Sequence, residues 1–521
     1  MKTNDVRRRE FLKYMAMSGG LAFAGPGILA PGTAHAAGKT LRVAVSSDAW
    51  NLDVRKSSDV TALNVTKQVY NGLMNYDPDG NLFPDLAKGP PDQPDDGTYI
   101  FHLREGVQFQ KGYGELTAED VVYTFDTIRG VIDTGQSFFL KLWLGPVEAV
   151  EAVDKYTVKF SLSEPYGDLP EVTALCKVIS KKAAEKFGKD FTRNPVGSGP
   201  FELVEWLKDD RIVLKRFDKH FRQGIPKLDE IVIQVIPDDT IKVTNLITGQ
   251  VDMMKEIPPR NLAQLKAAPG IVVGQRSGSQ AEQMYFNTSA EPFNDVNLRR
   301  AIGYAINRDA IANQVFFGMA QPSVAPMLEA QMPLKKYPDG MTRMTYDPAK
   351  AKAFLAKSSK PDGFEFTCLT TGQGWFVEQL TVIQANLADI GVKMTIEPLE
   401  KSVMFARMRK KDYSASYEDL NAAYFGYSPV NPLLFYTPPT RTLYWADEYG
   451  QRADGILKRF MTTLDVNKRQ ELMSEFLTIL TDQVPYIQVV FVDSTDAWRD
   501  AVTNYKVSLP NDSNWWETDI S

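Results

Sequence analysis

Strand signals and helix signals alternate along most of this 521-residue chain, and this alternation limits the fold more than any other feature. Short runs in which apolar and polar residues alternate predict strands. They lie at 41–45, 99–103, 158–162, 201–206, 211–215, 230–235 and 392–396. Apolar residues spaced three and four apart predict helices, and these lie at 59–76, from 117 onward, and at 240–248, 296–318 and 380–390. This order predicts a mixed α/β protein.

The first 36 residues are predicted to be a twin-arginine signal peptide. The pattern R-R-x-F-L-K occupies residues 8–13, a weakly hydrophobic stretch follows over 14–30, and Ala34-His35-Ala36 supplies a small-x-small cleavage site. The alternative is a transmembrane anchor, which needs about 20 predominantly apolar residues. This stretch is shorter and is interrupted by glycines. We therefore expect a periplasmic protein, cleaved near Ala36.

The charge of the mature chain restricts its partners. Without the signal peptide, 54 Lys and Arg face 63 Asp and Glu, a net charge of −9. Such an acidic balance argues against nucleic acid or an anionic membrane as a partner. The remaining length of about 485 residues is too long for one core and predicts two or three domains.

The sequence offers little material for cofactor chemistry. Cys176 and Cys368 are predicted to be separate buried thiols rather than a disulfide. The mature chain has only His102 and His220, and no metal-ligand spacing or nucleophile motif occurs. We therefore predict no cofactor, no metal site and no catalytic residue. An enzyme built on two carboxylates stays open, because so many acidic residues would hide any pair.

Several short motifs follow one another with fixed spacing. They are Y-x-G-L at 70–73, F-x-L-R-x-G-V-x-F at 101–109, T-A-E-D-V at 117–121, P-V-G-S-G-P-F at 195–201, F-N-T at 286–288, R-x-A-I-x-Y-A-I-x-R at 299–308 and Q-A-x-L-x-x-I-G at 384–391. In this order they closely resemble the extracellular solute-binding proteins of family 5, the peptide and nickel class. Most of the motif residues have structural interpretations. Arg104 and Asp120 are predicted to pair ions or cap helices, and Gly199 is predicted to be a turn residue.

The resemblance implies an architecture. It is the two-lobed α/β fold of periplasmic binding proteins, type II, of the large class with an inserted third subdomain and a hinge between the lobes. Carried onto this chain, lobe one comprises 37–58, 195–280 and 490–521, the inserted subdomain 59–194, and lobe two 281–489. The chain would cross between the lobes near 285–287 and near 488–490.

The resemblance also implies a function. A protein of this family captures a solute in the interlobe cleft and delivers it to the permease subunits of an ABC importer in the inner membrane. The ligand favours lobe closure through its higher affinity for the closed state. We expect a monomer that is not an enzyme and whose ligand is a small molecule or a short peptide.

The ligand prediction depends on residues 420–434, which read LNAAYFGYSPVNPLL. Peptide binders of the family resemble one another in this segment, where an aspartate pairs with the α-ammonium of the peptide. Here no Asp or Glu occurs between Asp419 and Asp447, and a charge-assisted hydrogen bond is worth roughly 1.5–3 kcal/mol. We therefore favour an opine-like, oligosaccharide or modified-peptide ligand. An ordinary di- or oligopeptide receptor, a binder of nickel chelates and an exported hydrolase are the alternatives, and Asp48 could supply a carboxylate from the other lobe.

The candidate binding residues combine polar groups with aromatic rings near glycine-bounded loops and in the segment after residue 420. Large planar side chains with a few polar tips suit sugar-like or conjugated solutes. The predicted set is Asp48, Trp50, Tyr285, Trp375, Asn421, Tyr424, Ser428 and Arg441.

Overall fold

The computed structural model describes residues 38–57, 59–325, 327–421, 436, 441–508 and 513–521, without the side chains of residues 139, 279, 420 and 421. The signal peptide predicted over residues 1–36 lies outside this range. Lys39–Ser521 forms one compact unit. Among the described residues, no helix has the length and apolar character needed to cross a membrane.

The strands and helices come in mixed order, as the sequence predicts. The described strands are β1 (Thr40–Val45), β2 (Met74–Tyr76), β3 (Leu82–Pro84), β4 (Asp92–Asp95), β5 (Thr98–His102), β6 (Gln108–Phe109), β7 (Gly114–Glu115), β8 (Val147–Asp154), β9 (Thr157–Leu162), β10 (Phe201–Leu207), β11 (Arg211–Arg216), β12 (Glu230–Val235), β13 (Met253–Lys255), β14 (Ile271–Phe286), β15 (Ala320–Pro322), β16 (Phe364–Thr371), β17 (Val392–Leu399), β18 (Ala415–Asn421), β19 (Tyr486–Arg499), β20 (Val502–Thr503) and β21 (Asp519–Ile520). The described helices are α1 (Val60–Val69), α2 (Ala118–Arg129), α3 (Leu169–Leu175), α4 (Lys181–Phe187), α5 (Asp239–Thr248), α6 (Leu262–Ala267), α7 (Val296–Ala305), α8 (Arg308–Gln314), α9 (Pro348–Leu355), α10 (Gly374–Ala388), α11 (Lys401–Arg409), α12 (Glu448–Thr462) and α13 (Val466–Gln483).

One large sheet joins the two lobes. Its described strands follow the order β10-β11-β12-β1-β13-β19-β14-β18-β16-β17, and β15 pairs with β19. The long strands β14 and β19 run antiparallel at its centre and belong to both lobes. Their register breaks between Arg276 and Gln280. Gly278 lies in this break, where a Cβ would stand 2.0 Å from the carbonyl oxygen of Val492. Only glycine lets the two strands approach this closely.

Separate apolar clusters lie on the two sides of this break. Helices α5 and α6 pack on β13 and the outer part of β19, around Leu246, Leu265 and Ala497. Helices α7, α8 and α10 pack on β14 and β18, around Phe286, Ile302 and Leu380. The four-stranded sheet β4-β5-β9-β8 packs under α2 and belongs to a third cluster.

Two arginines of the motif at 299–308 are structural. Both are buried, and their guanidinium groups donate to backbone carbonyls: Arg299 Nε lies 3.0 Å from Gln483 O, and Arg308 Nε lies 2.9 Å from Gln488 O. Each guanidinium group therefore connects its helix to the chain that leads into β19.

Asp120 forms the predicted capping box, because its carboxylate accepts from the backbone N–H of Thr117 at 3.0 Å.

The two glycines of the P-V-G-S-G-P-F motif are required because of a close backbone contact, which the sequence did not predict. A Cβ at Gly197 would stand 2.2 Å from Val69 O, and one at Gly199 would stand 2.4 Å from Gln68 O. Neither glycine has a positive φ. Gly199 lies in a bend, and glycine is required here because the chain crosses the end of α1 at backbone contact distance.

Two predicted helices are shorter than their patterns. The helix predicted over 59–76 ends at Val69, because Tyr70 is extended and residues 74–76 form β2. The helix predicted over 296–318 is divided at 306–307, where the Asn307 side chain accepts from Ala310 N and starts α8.

Cys176 and Cys368 are free and buried, which confirms the prediction of two separate thiols.

Candidate functional site

An open cleft of about 710 Å³ lies between the two lobes. Its walls are the start of α5 with residues 256–261 on one side, and the end of α8 with the start of α10 on the other. The central strands form its floor through Gln280 and residues 492–495. Strand ends, helix starts and the central strands thus surround one space large enough for a small organic solute.

One ion pair bridges the walls of this cleft. Arg260 Nη2 lies 2.5 Å from Glu378 Oε1, and the two side chains come from opposite walls of the cleft. Both are substantially exposed, so the pair is worth at most about 1 kcal/mol.

The cleft presents both cationic and anionic groups. Lys242 on α5 is almost completely buried, and its Nζ lies 2.5 Å from Ser46 Oγ and 3.2 Å from Asp239 Oδ1. On the floor, Asp493 accepts from Gln275 Nε2 at 2.8 Å. Burial raises the pKa of the Asp493 carboxyl above its ordinary value. The surface thus offers donors and acceptors around apolar groups such as Phe316 and Met319.

Of the sequence-predicted residues, Trp375 lines this cleft. Its side chain is 45% exposed and contacts Phe376 at the start of α10. Asn421 ends β18 and pairs with Gln280 of the cleft floor. Tyr424 and Ser428 lie outside the described residues.

The other four predicted residues lie elsewhere. Asp48 accepts from Trp206 Nε1 at 2.9 Å and from Asp209 N at 2.9 Å, so its carboxylate is held by the β10–β11 hairpin. Trp50 is 80% exposed on the loop after β1. None of these positions touches the walls of the cleft described above.

Tyr285 and Arg441 come close to one another through Tyr444. The Tyr285 and Tyr444 rings are 5.0 Å apart, and Tyr444 N donates to Arg441 O at 3.1 Å. Arg441 is buried, and its Nε donates to Asp454 Oδ1 at 2.7 Å. Its charge is therefore compensated within the protein.

Comparison with known proteins decides the family. Residues 81–440 match the bacterial extracellular solute-binding proteins, family 5 Middle. The chain belongs to this family. It is a solute-binding protein, and the interlobe cleft is the space in which this family 5 member can enclose a solute.

Individual relatives extend over almost the whole chain. The glutathione-binding protein GsiB of Salmonella typhimurium is 28% identical over 484 residues, which cover 90% of this chain and 92% of GsiB. The Helicobacter pylori periplasmic binding protein DppA, solved with the peptide STSA, is 25% identical with a TM-score of 0.77 and covers 92% of this chain and 98% of its own. AgaA of A. tumefaciens R10, solved with agropinic acid, is 26% identical with a TM-score of 0.78. The match covers 92% of this chain and 99% of AgaA.

This family 5 protein also carries three acidic residues on β14 and β18, which we call the carboxyl cluster: Glu282 on β14 and Glu418 on β18, which are buried, and Asp419 on β18, which is half-buried. Burial is the main cause that raises the pKa of all three, and Asp419 adds repulsion to both glutamates. The pKa of Glu418 is raised to about 8. Reasoning from the sequence missed this cluster, because strand pairing alone brings residue 282 to residue 419. Within the described residues, no group of three His, Cys, Asp or Glu could hold a metal ion.

Replacing Glu418 with Gln should stabilise the protein at pH 8 and change little at pH 5. In the unfolded chain the carboxyl ionises near its ordinary value of 4.5, whereas the folded protein keeps the proton up to about 8. Stability is therefore lost as the pH rises through this interval, at about 1.4 kcal/mol per pH unit. We expect E418Q to be about 4 kcal/mol more stable than the wild type at pH 8 on this scale. Urea unfolding at both pH values measures it.

The matched control is Glu105→Gln, because Glu105 is exposed and forms a surface ion pair with Lys88. This control should show no pH-dependent gain. Equal stability of E418Q and the wild type at pH 8 would contradict a protonated, buried Glu418.

Proposed function

We propose that this chain is the periplasmic solute-binding component of an ABC importer. It captures a small polar organic solute between its lobes and presents the closed form to the permease. The observation that carries the proposal is the 710 Å³ cleft, with walls from both lobes bridged by Arg260 and Glu378, in a family 5 protein.

The relatives support a peptide-like or opine-like ligand. GsiB is named for glutathione, DppA was solved with a tetrapeptide and AgaA with an opine acid. All three ligands are amino-acid derivatives with several polar groups. We propose a ligand of this kind, and an ordinary di- or oligopeptide receptor is the second candidate. An oligosaccharide has less support, because these three names do not include a sugar binder.

Three further properties belong to the proposal. The twin-arginine motif at residues 8–13 supports export of the folded protein and cleavage near Ala36. The acidic balance of the mature chain argues against nucleic acid as a partner. We propose a monomer without catalytic activity, and turnover of a bound solute that one carboxylate substitution abolishes would contradict this.

A thermal-shift screen tests the proposed function. The mature protein is melted with glutathione, tripeptides, agropinic acid and oligosaccharides, each at several concentrations. A bound ligand at 100 times its Kd stabilises the folded state by about 2.7 kcal/mol, so we expect a concentration-dependent rise in Tm for an amino-acid derivative. No shift with any of the four classes would contradict the proposal.

Replacing Trp375 with Ala should weaken the best ligand of that screen about tenfold, because burying an aromatic ring against a solute is worth about 1–2 kcal/mol. Titration calorimetry measures the Kd. Tyr449→Ala is the matched control, since Tyr449 is similarly exposed on α12 and does not line the cleft. An unchanged Kd in W375A would remove Trp375 from the site.

A further inference from the structure

Apolar side chains form much of the surface of the cleft. On one wall, Val315 and Phe316 follow α8, and Trp375 lies at the start of α10. The opposite wall carries Pro258 and Pro259. Trp375 is exposed and both prolines are half-buried, so these three side chains keep apolar surface that a solute can cover.

A tight turn after α8 directs two residues to the cleft and one away from it. Phe317 and Gly318 have φ values of 52° and 82°, and Met319 N donates to Phe316 O at 2.9 Å. Phe316 and Met319 are buried and line the cleft, whereas Phe317 is 48% exposed and does not line it. Met319 also packs in the apolar cluster around Leu246. The turn thus extends the apolar wall and connects it to the packing on β13.

Charged residues also line the cleft, and within the described part of the chain five of the six are held by other side chains of the protein. On α5, Lys242 Nζ lies 3.2 Å from Asp239 Oδ1. Across the cleft, Arg260 pairs with Glu378. On the floor, the Asp493 carboxylate accepts from two glutamine side chains, at 2.8 Å and 3.4 Å. A charged group of the solute has to compete with these contacts, whereas an apolar group gains from leaving water without displacing any of them.

We propose that the solute carries an apolar side group, aliphatic or aromatic, that binds between the wall formed by Phe316, Met319 and Trp375 and the wall formed by Pro258 and Pro259. The inference rests on the proposed function and narrows its ligand class to amino-acid derivatives with such a group. Methionine adapts its shape, so the site accepts apolar groups of different form. A polar group of the same size is disfavoured, because it loses water without gaining hydrogen bonds.

The test compares solutes of equal charge and nearly equal size. Wild-type protein is titrated by calorimetry with tripeptides of glycine in which the first, second or third residue is leucine, phenylalanine or asparagine. Leucine and asparagine have similar shapes, so this pair separates polarity from size and charge. At one of the positions, we expect the leucine peptide to bind about tenfold more tightly than the asparagine peptide.

Substitutions in the apolar walls should reduce this preference. We expect Trp375→Ala, and Met319→Gln, which puts an amide in place of the thioether, to lower the ratio to about threefold or less. Trp375 is exposed, so W375A does not depend on repacking of the core and decides the matter if M319Q fails to fold. Phe317→Ala is the matched control, because Phe317 is about as exposed as Trp375 and does not line the cleft. It should keep the full ratio.

The heat capacity change of binding gives a second readout that a purely structural role would not move. Burial of apolar surface makes this change negative. We expect it to be more negative for the leucine peptide than for the asparagine peptide in the wild type, and the difference to shrink in W375A.

Two results would overturn the inference and leave solute binding intact. One is equal binding of the leucine and asparagine peptides by the wild type at all positions. The other is binding of none of the tripeptides together with binding of a wholly polar solute of the thermal-shift screen. If the wild type binds neither the tripeptides nor any other solute of that screen, the proposed function fails as well.

Discussion

Replacing Lys255 with Met should lower the free energy of unfolding by about 3–5 kcal/mol, because it leaves a buried carboxylate without its cation. Lys255 Nζ lies 2.7 Å from Asp496 Oδ2 and 2.8 Å from Ser513 Oγ, and all three side chains are buried. Tyr505 also donates to Asp496, at 2.5 Å. This group joins β13, the outer part of β19 and the C-terminal residues into one unit of lobe one. Urea unfolding measures the loss.

The matched control is Lys506→Met, because Lys506 is exposed and reaches Asp79 only at 3.4 Å. It should change stability by less than about 0.5 kcal/mol. Adding Asp496→Leu to K255M should restore part of the loss, since it removes the unpaired charge. Equal effects of K255M and K506M would show that the buried group contributes nothing specific.

Replacing Arg469 with Met should cost a similar amount, about 3–5 kcal/mol. Arg469 Nη2 lies 2.7 Å and 2.8 Å from the two carboxylate oxygens of Asp168, and both side chains are buried. The pair connects the segment before α3 with α13, far along the chain. Glu171 lies nearby, and burial together with Asp168 raises its pKa to about 7. Without Arg469, two carboxyls would share a buried site with no cation between them.

Arg459→Met is the control for this second substitution, because Arg459 forms an exposed pair with Glu475 on α12 and α13. An exposed pair contributes at most about 1 kcal/mol. The combination R469M/D168N should be more stable than R469M alone. If R469M unfolds at the same urea concentration as R459M, the contact between these two segments is not structural.

Much of the fold follows from periodicity. The hairpin strands β10, β11 and β12 alternate between core and surface, and the sequence predicted each within two residues. Helix ends were predicted where one local residue decides them: the helix predicted over 240–248 ends at Thr248, and Gly249, with a φ of 78°, caps it. Where tertiary contact decides the residue, as at Gly199, the prediction of a turn gave only part of the reason. Its requirement comes from the end of α1 and leaves no trace in local spacing.

The site was less predictable than the fold. Trp375 could be proposed, because an aromatic residue in a glycine-bounded loop has no obvious core partner. Lys242 could not be proposed, because a lysine near the start of a helix is usually exposed. Only the structure shows that it is buried and donates to Ser46. The pairing of Glu282 with Asp419 depends on the register of β14 and β18.

Native mass spectrometry of the mature protein tests the central claim most directly. The protein is sprayed as purified and again after incubation with free tripeptides, glutathione and agropinic acid. We predict a mass increase that corresponds to one small solute per chain, and a smaller bound fraction when Trp375 is replaced by Ala. A folded protein that carries no solute and gains none from any of these mixtures would contradict the account.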